Sequence, residues 1–368
     1  VSAKVFAEGA RVVEVPLSRP ESGAVESGIA SLTTTGLRRT RRRVFRRLNA
    51  CSVPGFSPIC VDSNDPDTVE CAFKQRVLRQ LPVAKDGILV KFRDFVRAWI
   101  KDNIPIATPL TFEQWLEGTS FNESRKAQLR KSYEENRGGR PSRKLCKKIK
   151  SFIKSEFYIE YKHGRVINSR VDLFKAWSGP LFKAVENAVY AHEAFIKHHP
   201  VPDRPALIRN LRKAGMRYFS NDFKAYESHF IPEVMDVCEC ELYRHTLSWF
   251  EDVEFLCSVI SGENIMTTGT GVRAKVKGRR MSGDMCTSVG NGFTNLMLGK
   301  FIAYLKGGSL QGFVEGDDGL FATDFELTAT DYSDLGFTVK IQEVADPCEA
   351  SFCGMVFSDS GEIIRDPR

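Results

Sequence analysis

Two acidic clusters, far apart in the chain, are the residues whose types and spacing best suit chemistry. In Phe313-Val314-Glu315-Gly316-Asp317-Asp318-Gly319-Leu320-Phe321 two carboxylates sit where two apolar strands turn back on each other. The flanking glycines permit a sharp turn and close approach of a ligand. Adjacent acids repel each other and make poor core material, so a cation is their natural counterpart; taken alone, the pair also suits a solvated turn. In Tyr218-Phe219-Ser220-Asn221-Asp222-Phe223-Lys224-Ala225-Tyr226-Glu227-Ser228-His229, Asp222 stands where a strand gives way to a helix. Acids from separate strands suit magnesium, which takes a few carboxylate oxygens, waters and substrate phosphates. The plainer alternative is that Asp222 caps the following helix. A metal pair held this way can activate a hydroxyl nucleophile and stabilise a pyrophosphate leaving group. A third element, Met281-Ser282-Gly283-Asp284-Met285-Cys286-Thr287-Ser288-Val289-Gly290-Asn291, is a Ser-Gly loop opening a helix. Thr287 and Asn291, four residues apart, share one helix face. Such a face can read a ribose hydroxyl; without the acids it would pass as an ordinary capped helix.

In this order the three elements resemble motifs A, B and C of viral RNA-dependent RNA polymerases. Asp222 is followed five places later by an acid, Glu227; Ser282-Gly283, Thr287 and Asn291 match the pattern S-G-x-x-x-T-x-x-x-N; Gly316-Asp317-Asp318 matches motif C. Upstream, Lys154-Ser155-Glu156 followed by Arg165-Val166-Ile167-Asn168-Ser169-Arg170 resembles motif F, the basic strand over an incoming nucleotide. Leu335-Gly336-Phe337-Thr338-Val339-Lys340 resembles motif D, and Phe352-Cys353-Gly354 resembles motif E, which supports the primer strand. The resemblance implies catalytic roles for Asp222, Asp317, Asp318 and Lys340, the last as general acid to pyrophosphate. It implies two Mg2+ or Mn2+ ions on Asp222 and Asp317 with Asp318 assisting. Lys154, Arg165 and, more weakly, Arg170 would bind the triphosphate; Glu227, Ser282, Gly283, Thr287 and Asn291 would face the nucleotide. The implied partners are template and product RNA, ribonucleoside triphosphates, other viral replication proteins and a host membrane surface. The implied location is the host cytoplasm, at membrane-associated replication complexes. The wording Gly278-Arg279-Arg280-Met281-Ser282-Gly283-Asp284-Met285 is most similar to the tombusvirus-like and carmovirus-like group. Most of that group carry Asp where this chain has Glu227, a side chain one methylene longer.

The elements that must position these residues are expected to form an α+β right hand, with fingers and an RRM-like antiparallel palm and the thumb largely absent. The expected divisions are a basic, disordered arm over 1–50; an N-terminal extension and fingers over 51–215, with motif F at 154–170; palm over 216–262; a fingers insertion over 263–281; palm over 282–350; and motif E with the start of a thumb over 351–368. Helix is expected over 88–135, with Thr111 as an N-cap, and over 180–197, 233–255 and 291–305; strands are expected over 216–221 and on both sides of the acidic turn at 312–323. Beginning at Val1 and stopping soon after motif E, the sequence reads as part of a longer product without a secretion signal.

Composition agrees with this outline. At 42% hydrophobic and 27% charged residues, the chain has apolar mass for a core and is not a disordered tail. The formal charge of +7 favours an anionic partner without saying which. Residues 38–47 carry a dense arginine run, read as a solvated arm or a sequence-independent phosphate contact. The ten cysteines are scattered, which suits reduced core thiols. Cys51, Cys60 and Cys71 could supply three legs of a zinc site but lack a convincing fourth. Rival readings are a reverse transcriptase-like palm polymerase, a non-catalytic RNA-binding protein, and a capsid or scaffold protein. Glu315 stands where the first usually has an aromatic residue, the second has no need of separated metal-type acids, and the third accounts for the arginine run alone.

Overall fold

The computed structural model describes residues 10–16, 31–33, 41–47, 59–158 and 162–366. The chain divides into two compact units, each assembled from several segments.

The first unit comprises Val1–Gln80, Ser142–Val171 and Gly262–Asp284. Its larger sheet has the order Ser31–Thr33, Arg273–Lys277, Glu263–Thr267, Lys148–Ile153, Val166–Arg170. Arg273–Lys277 alternates exposed cations with buried Ala274 and Val276, and Lys148–Ile153 buries Ile149, Ser151 and Ile153 while exposing Lys148, Lys150 and Phe152, so the period-two pattern turns one face inward. Ile149, Ile153, Ala274 and Val276 form one core with Val69, Ala72 and Phe73 of the helix Pro66–Arg76. That helix starts on Asp65, whose carboxylate accepts the Thr68 amide at 3.1 Å.

A second sheet in this unit joins Ala10–Pro16, Arg41–Arg47, Ile59–Val61 and Phe157–Tyr158. The greater part of the arginine run, read above as a disordered arm, falls on the strand Arg41–Arg47. The pairing of Arg41–Arg47 with Ala10–Pro16 puts Arg43 at the register position of Glu14 and Phe45 at that of Val12. Residues 1–9, 17–30, 34–40 and 48–50 of the expected arm lie outside the described residues. So does Cys51; Cys60 and Cys71 are buried thiols, and Cys71 Sγ lies 3.4 Å from His163 Nδ1.

The second unit comprises Leu81–Pro141, Asp172–Ser261 and Met285–Arg368. Residues 81–141 and 172–215, expected with the fingers, therefore belong with the acidic clusters, while 282–284 belong with the first unit. The reason is visible in the packing of the helix Ile88–Asn103, whose Arg97 forms a two-pronged bond to Glu241 at 2.8 and 3.0 Å and whose Arg93 pairs with Asp236. The expected helix over 88–135 is three helices, Ile88–Asn103, Phe112–Glu117 and Glu123–Glu135. Pro105 and Pro109 fall in the first break, where their missing amides stop helical bonding. Thr111 caps the second in a reciprocal box with Gln114. The helix expected to begin at Pro180 runs instead from Asp172 to Tyr190, with Pro180 inside it. Buried Phe174, Trp177, Leu181 and Phe182 hold its two halves in line. The stretch 233–255 breaks into the short helices Pro232–Val237, Glu239–Thr246 and Val253–Ile260.

At the centre of this unit is a four-stranded antiparallel sheet in the order Leu310–Glu315, Asp318–Thr323, Arg217–Phe223, Val339–Val344. The helix Thr287–Lys306 packs on it, burying Phe293, Leu296, Met297, Leu298, Phe301, Ile302 and Ala303 together with the polar Thr294 and Asn295. Ala329–Ser333 is a short helix between the third and last strands of the sheet in chain order.

Candidate active site

The acidic turn is a two-residue hairpin loop. Glu315 pairs with Asp318, leaving Gly316 and Asp317 between the strands. Gly316 adopts φ +61°, the left-handed conformation that the first residue of such a turn requires and that glycine enters without steric cost. The strand Arg217–Phe223 lies beside the second arm of the hairpin, and the last pair between them is Asn221 with Gly319. Asp222 and Asp318 are the next residues along each strand, so the register brings the two acidic clusters to one end of the sheet. Asp222 is not a helix cap. It lies inside its strand, and the following 3-10 turn, Tyr226–His229, is entered from Ala225 without a side-chain cap.

Asp222 and Asp317 are exposed and Asp318 is half-buried. Burial first, then the negative charges of Asp317, Asp222 and Glu315, push the Asp318 carboxyl up to about 7. Acids gathered at this density favour a bound cation. Among the described residues no group of three or more His, Cys, Asp or Glu side chains is placed to hold a metal ion by itself.

A buried polar chain fixes the acidic turn from below. Asn295, on the helix Thr287–Lys306, donates from Nδ2 to the carbonyl of Asp317 at 3.1 Å. Asn221 Nδ2 donates to Asn295 Oδ1 at 2.8 Å and, more weakly, to the Tyr332 hydroxyl at 3.4 Å. All three side chains are buried. Sequence reasoning passed over them. Asn295 stands one helical turn beyond Asn291, and Asn221 is a polar residue on the inward face beside Asp222; a buried amide demands partners.

Among the remaining expected residues, Glu227, Thr287, Asn291 and Lys340 belong to the same unit as the acids. The Tyr226 hydroxyl donates to the carbonyl of Asn291 at 3.2 Å, tying the turn that bears Glu227 to the helix that bears Asn291. Lys340 is the cross-strand partner of Asp222, so both side chains leave the same face of the sheet. His229, a residue not singled out from sequence, accepts the Thr338 amide at Nε2, 2.9 Å away, and stacks on Phe337, anchoring the approach to Lys340.

Lys154, Arg165, Arg170, Ser282 and Gly283 belong to the first unit. Lys154 and Arg165 are about half exposed and flank one carboxylate, Glu156, at 2.5 and 3.6 Å. Burial alone would raise the Glu156 carboxyl, but Lys154, Tyr158 and Arg165 together hold it below its usual value. Two cations against one acid leave a net positive, solvent-facing pair. Arg170 is different, and its expected contact with a triphosphate is corrected. Its side chain is 0% exposed, with Nε donating to Asp284 Oδ2 and NH1 donating to the Cys146 carbonyl, both at 2.8 Å. A guanidinium enclosed in this way cannot grip a ligand arriving from solvent.

A family model described as viral RNA-dependent RNA polymerase matches residues 176–368, just over half of the chain and both acidic clusters. Lys154, Arg165 and Arg170 fall before the matched segment. No curated protein sequence matches the chain.

Proposed function

The chain belongs to the viral RNA-dependent RNA polymerase family, and from that premise we propose that Asp222 and Asp317, assisted by Asp318, hold two Mg2+ or Mn2+ ions for joining ribonucleotides on an RNA template. Membership makes the protein an RNA-directed RNA polymerase, a nucleotidyltransferase whose substrates are an RNA template and nucleoside triphosphates. The observation that carries the residue assignment is the strand register that brings Asp222, Asp317 and Asp318 to one end of the central sheet. When bound, the ions would favour the deprotonated attacking hydroxyl and neutralise charge on the departing pyrophosphate.

The protein's own groups position and protonate. Asn295 and Asn221 hold the turn carrying Asp317, so its carboxylate is preorganised before substrate arrives. Glu227, Ser282, Gly283, Thr287 and Asn291 face the nucleotide, with Glu227, Ser282 and Asn291 reading the ribose hydroxyl. Lys154 and Arg165 bind the triphosphate, Arg165 as a planar fork. Lys340 supplies the proton to pyrophosphate. The palm is RRM-like: its strands and two helices run β-α-β-β-α-β in chain order with the first strand central, which supports this part of the right-hand reading. The Gly278–Met285 wording supports a member of the tombusvirus-like and carmovirus-like group, acting with other replication proteins at membrane-associated sites in the host cytoplasm.

Extension of a primed RNA template by ribonucleotides, compared with deoxyribonucleotides, tests the reading. Incorporation should favour ribonucleotides and fall by at least about a hundredfold in Asp317→Asn, the scale of losing one preorganised charge contact. Near-normal incorporation by that variant refutes the assignment.

A further inference from the structure

The loop Ser282-Gly283-Asp284 lies against the strand Val166–Arg170, and the contacts between them form a continuous series. Gly283 N–H donates to the Asn168 carbonyl at 2.8 Å, and Asn168 N–H donates to Ser282 Oγ at 3.2 Å. The Ser282 hydroxyl in turn donates to the Val166 carbonyl at 3.3 Å. The Arg170–Asp284 ion pair closes the series at 2.8 Å, with side chains 0% and 3% exposed. Backbone meets backbone here: a Cβ on Gly283 would stand 2.8 Å from the Asn168 carbonyl oxygen and 3.2 Å from Ser169 Cα. The strand is itself held in the sheet, where Ser151 Oγ donates to Asn168 Oδ1 at 2.6 Å and Arg170 reaches the Cys146 carbonyl.

We infer that Arg170 and Asp284 are a positioning pair, with Arg170 acting through Asp284 to hold the Ser282-Gly283 loop on this strand and so to fix how Ser282 meets a nucleotide. In the docked loop the single O–H of Ser282 is engaged by Val166 and one of its lone pairs by Asn168, which leaves one acceptor position. Docked, Ser282 can accept a hydrogen bond from a ribose hydroxyl and has no proton to donate to one. Removing either member breaks the buried ion pair and with it the side-chain tie between the loop and the strand, which lets the loop lift from the strand. The effect on sugar selection rests on the polymerase reading; the docking of the loop does not.

Amide hydrogen exchange in the full chain separates the two. Asp284→Asn should speed exchange at Gly283 and Asn168 by tenfold or more relative to Ile265, whose amide is bonded to the Lys147 carbonyl in the same unit. Arg170→Lys, which keeps the charge and loses the fork, should do the same to a smaller degree. Equal acceleration at all three amides would mean that the pair only staples the unit together, and unchanged exchange at Gly283 would mean that the loop holds without it; either overturns the inference. In primed synthesis, Asp284→Asn should lower the preference for ribonucleotides over deoxyribonucleotides several-fold, whereas Val276→Ala, which loosens the core of the same unit, should leave that preference unchanged. A local exchange response with an unaltered sugar preference would refute the role toward Ser282. Absence of any synthesis by the unaltered chain would count against the polymerase assignments, and the exchange result would still decide the docking.

Discussion

The two charged clusters that matter most in this molecule are built on opposite principles. Arg170 and Asp284 are of opposite sign, 0% and 3% exposed, and are ion-paired at 2.8 Å. Asp222, Asp317 and Asp318 are of one sign, gathered where two strands end, and their mutual repulsion helps push Asp318 up to about 7. A buried pair of opposite charges spends its interaction on holding chain segments together. A partly exposed cluster of like charges is costly to the fold and is satisfied by a cation from outside. Residue type alone does not separate the two cases, since an arginine in a basic motif looked the same in sequence whether it faced solvent or was enclosed.

The contrast can be broken at several points. Asp317→Asn removes a like charge from an exposed turn, so the large loss of incorporation described above should come with an unfolding midpoint within about 3 °C of the unaltered protein. A steep fall in the midpoint would make Asp317 a structural residue. Asn295→Ala should move both quantities. It strips a partner from the Asp317 carbonyl and from Asn221, costing about 1–3 kcal/mol in denaturant unfolding, and it loosens the turn enough to slow incorporation. Stability lost with incorporation intact would detach this polar chain from the site.

Sugar discrimination should respond more modestly. Asn291→Ala is expected to narrow the ratio of ribo- to deoxyribonucleotide incorporation about tenfold, the effect of one hydrogen bond worth roughly 1–3 kcal/mol. Glu227→Asp should preserve the ratio and Glu227→Gln weaken it. An unchanged ratio in Asn291→Ala would move sugar selection elsewhere. For Arg165→Ala the nucleotide KM should rise about tenfold, with Arg165→Lys recovering part of it because lysine lacks the planar fork. Weaker RNA binding at an unchanged nucleotide KM would reassign Arg165 to the template.

Arg125 and Asp172 form an intermediate case, a half-exposed pair at 2.6 Å. The hydrogen bond from Arg125 holds the Asp172 carboxyl below its usual value despite partial burial. Because the folded pKa is the lower one, the pair's contribution is present above the unfolded value near about 4 and disappears as pH falls through the folded value. Asp172→Asn should therefore flatten that part of the acid-unfolding curve, by about 1 kcal/mol or less for a pair this exposed. An identical acid limb in the variant would show that the pair contributes nothing measurable.

Much of the catalytic outline was legible because it is local. Glycine beside adjacent acids between two strand-forming runs specifies a hairpin, and the hairpin is there with Gly316 at its left-handed position. Thr111 announced its helix through the reciprocal cap with Gln114. Proline was misleading in both directions, ending helical structure after Asn103 but sitting within Asp172–Tyr190, where buried aromatic packing outweighs its missing amide. The arginine run has a composition that a disordered arm and a paired strand share, and its pairing with Ala10–Pro16 is not written in that composition.

The sequence by itself determined which residues carry chemistry-bearing groups and the local turns that present them, since turn geometry and capping depend on a few neighbouring residues. Tertiary structure decided the rest. Register between strands distant in the chain brings Asp222 beside Asp318 and sets Lys340 across from Asp222. Burial decided that Arg170 is enclosed while Arg165 stays half exposed, although the two are only five residues apart. Alternation along a strand states that neighbouring side chains face opposite ways, but which face meets water is set by what packs against the sheet, and that information lies elsewhere in the chain.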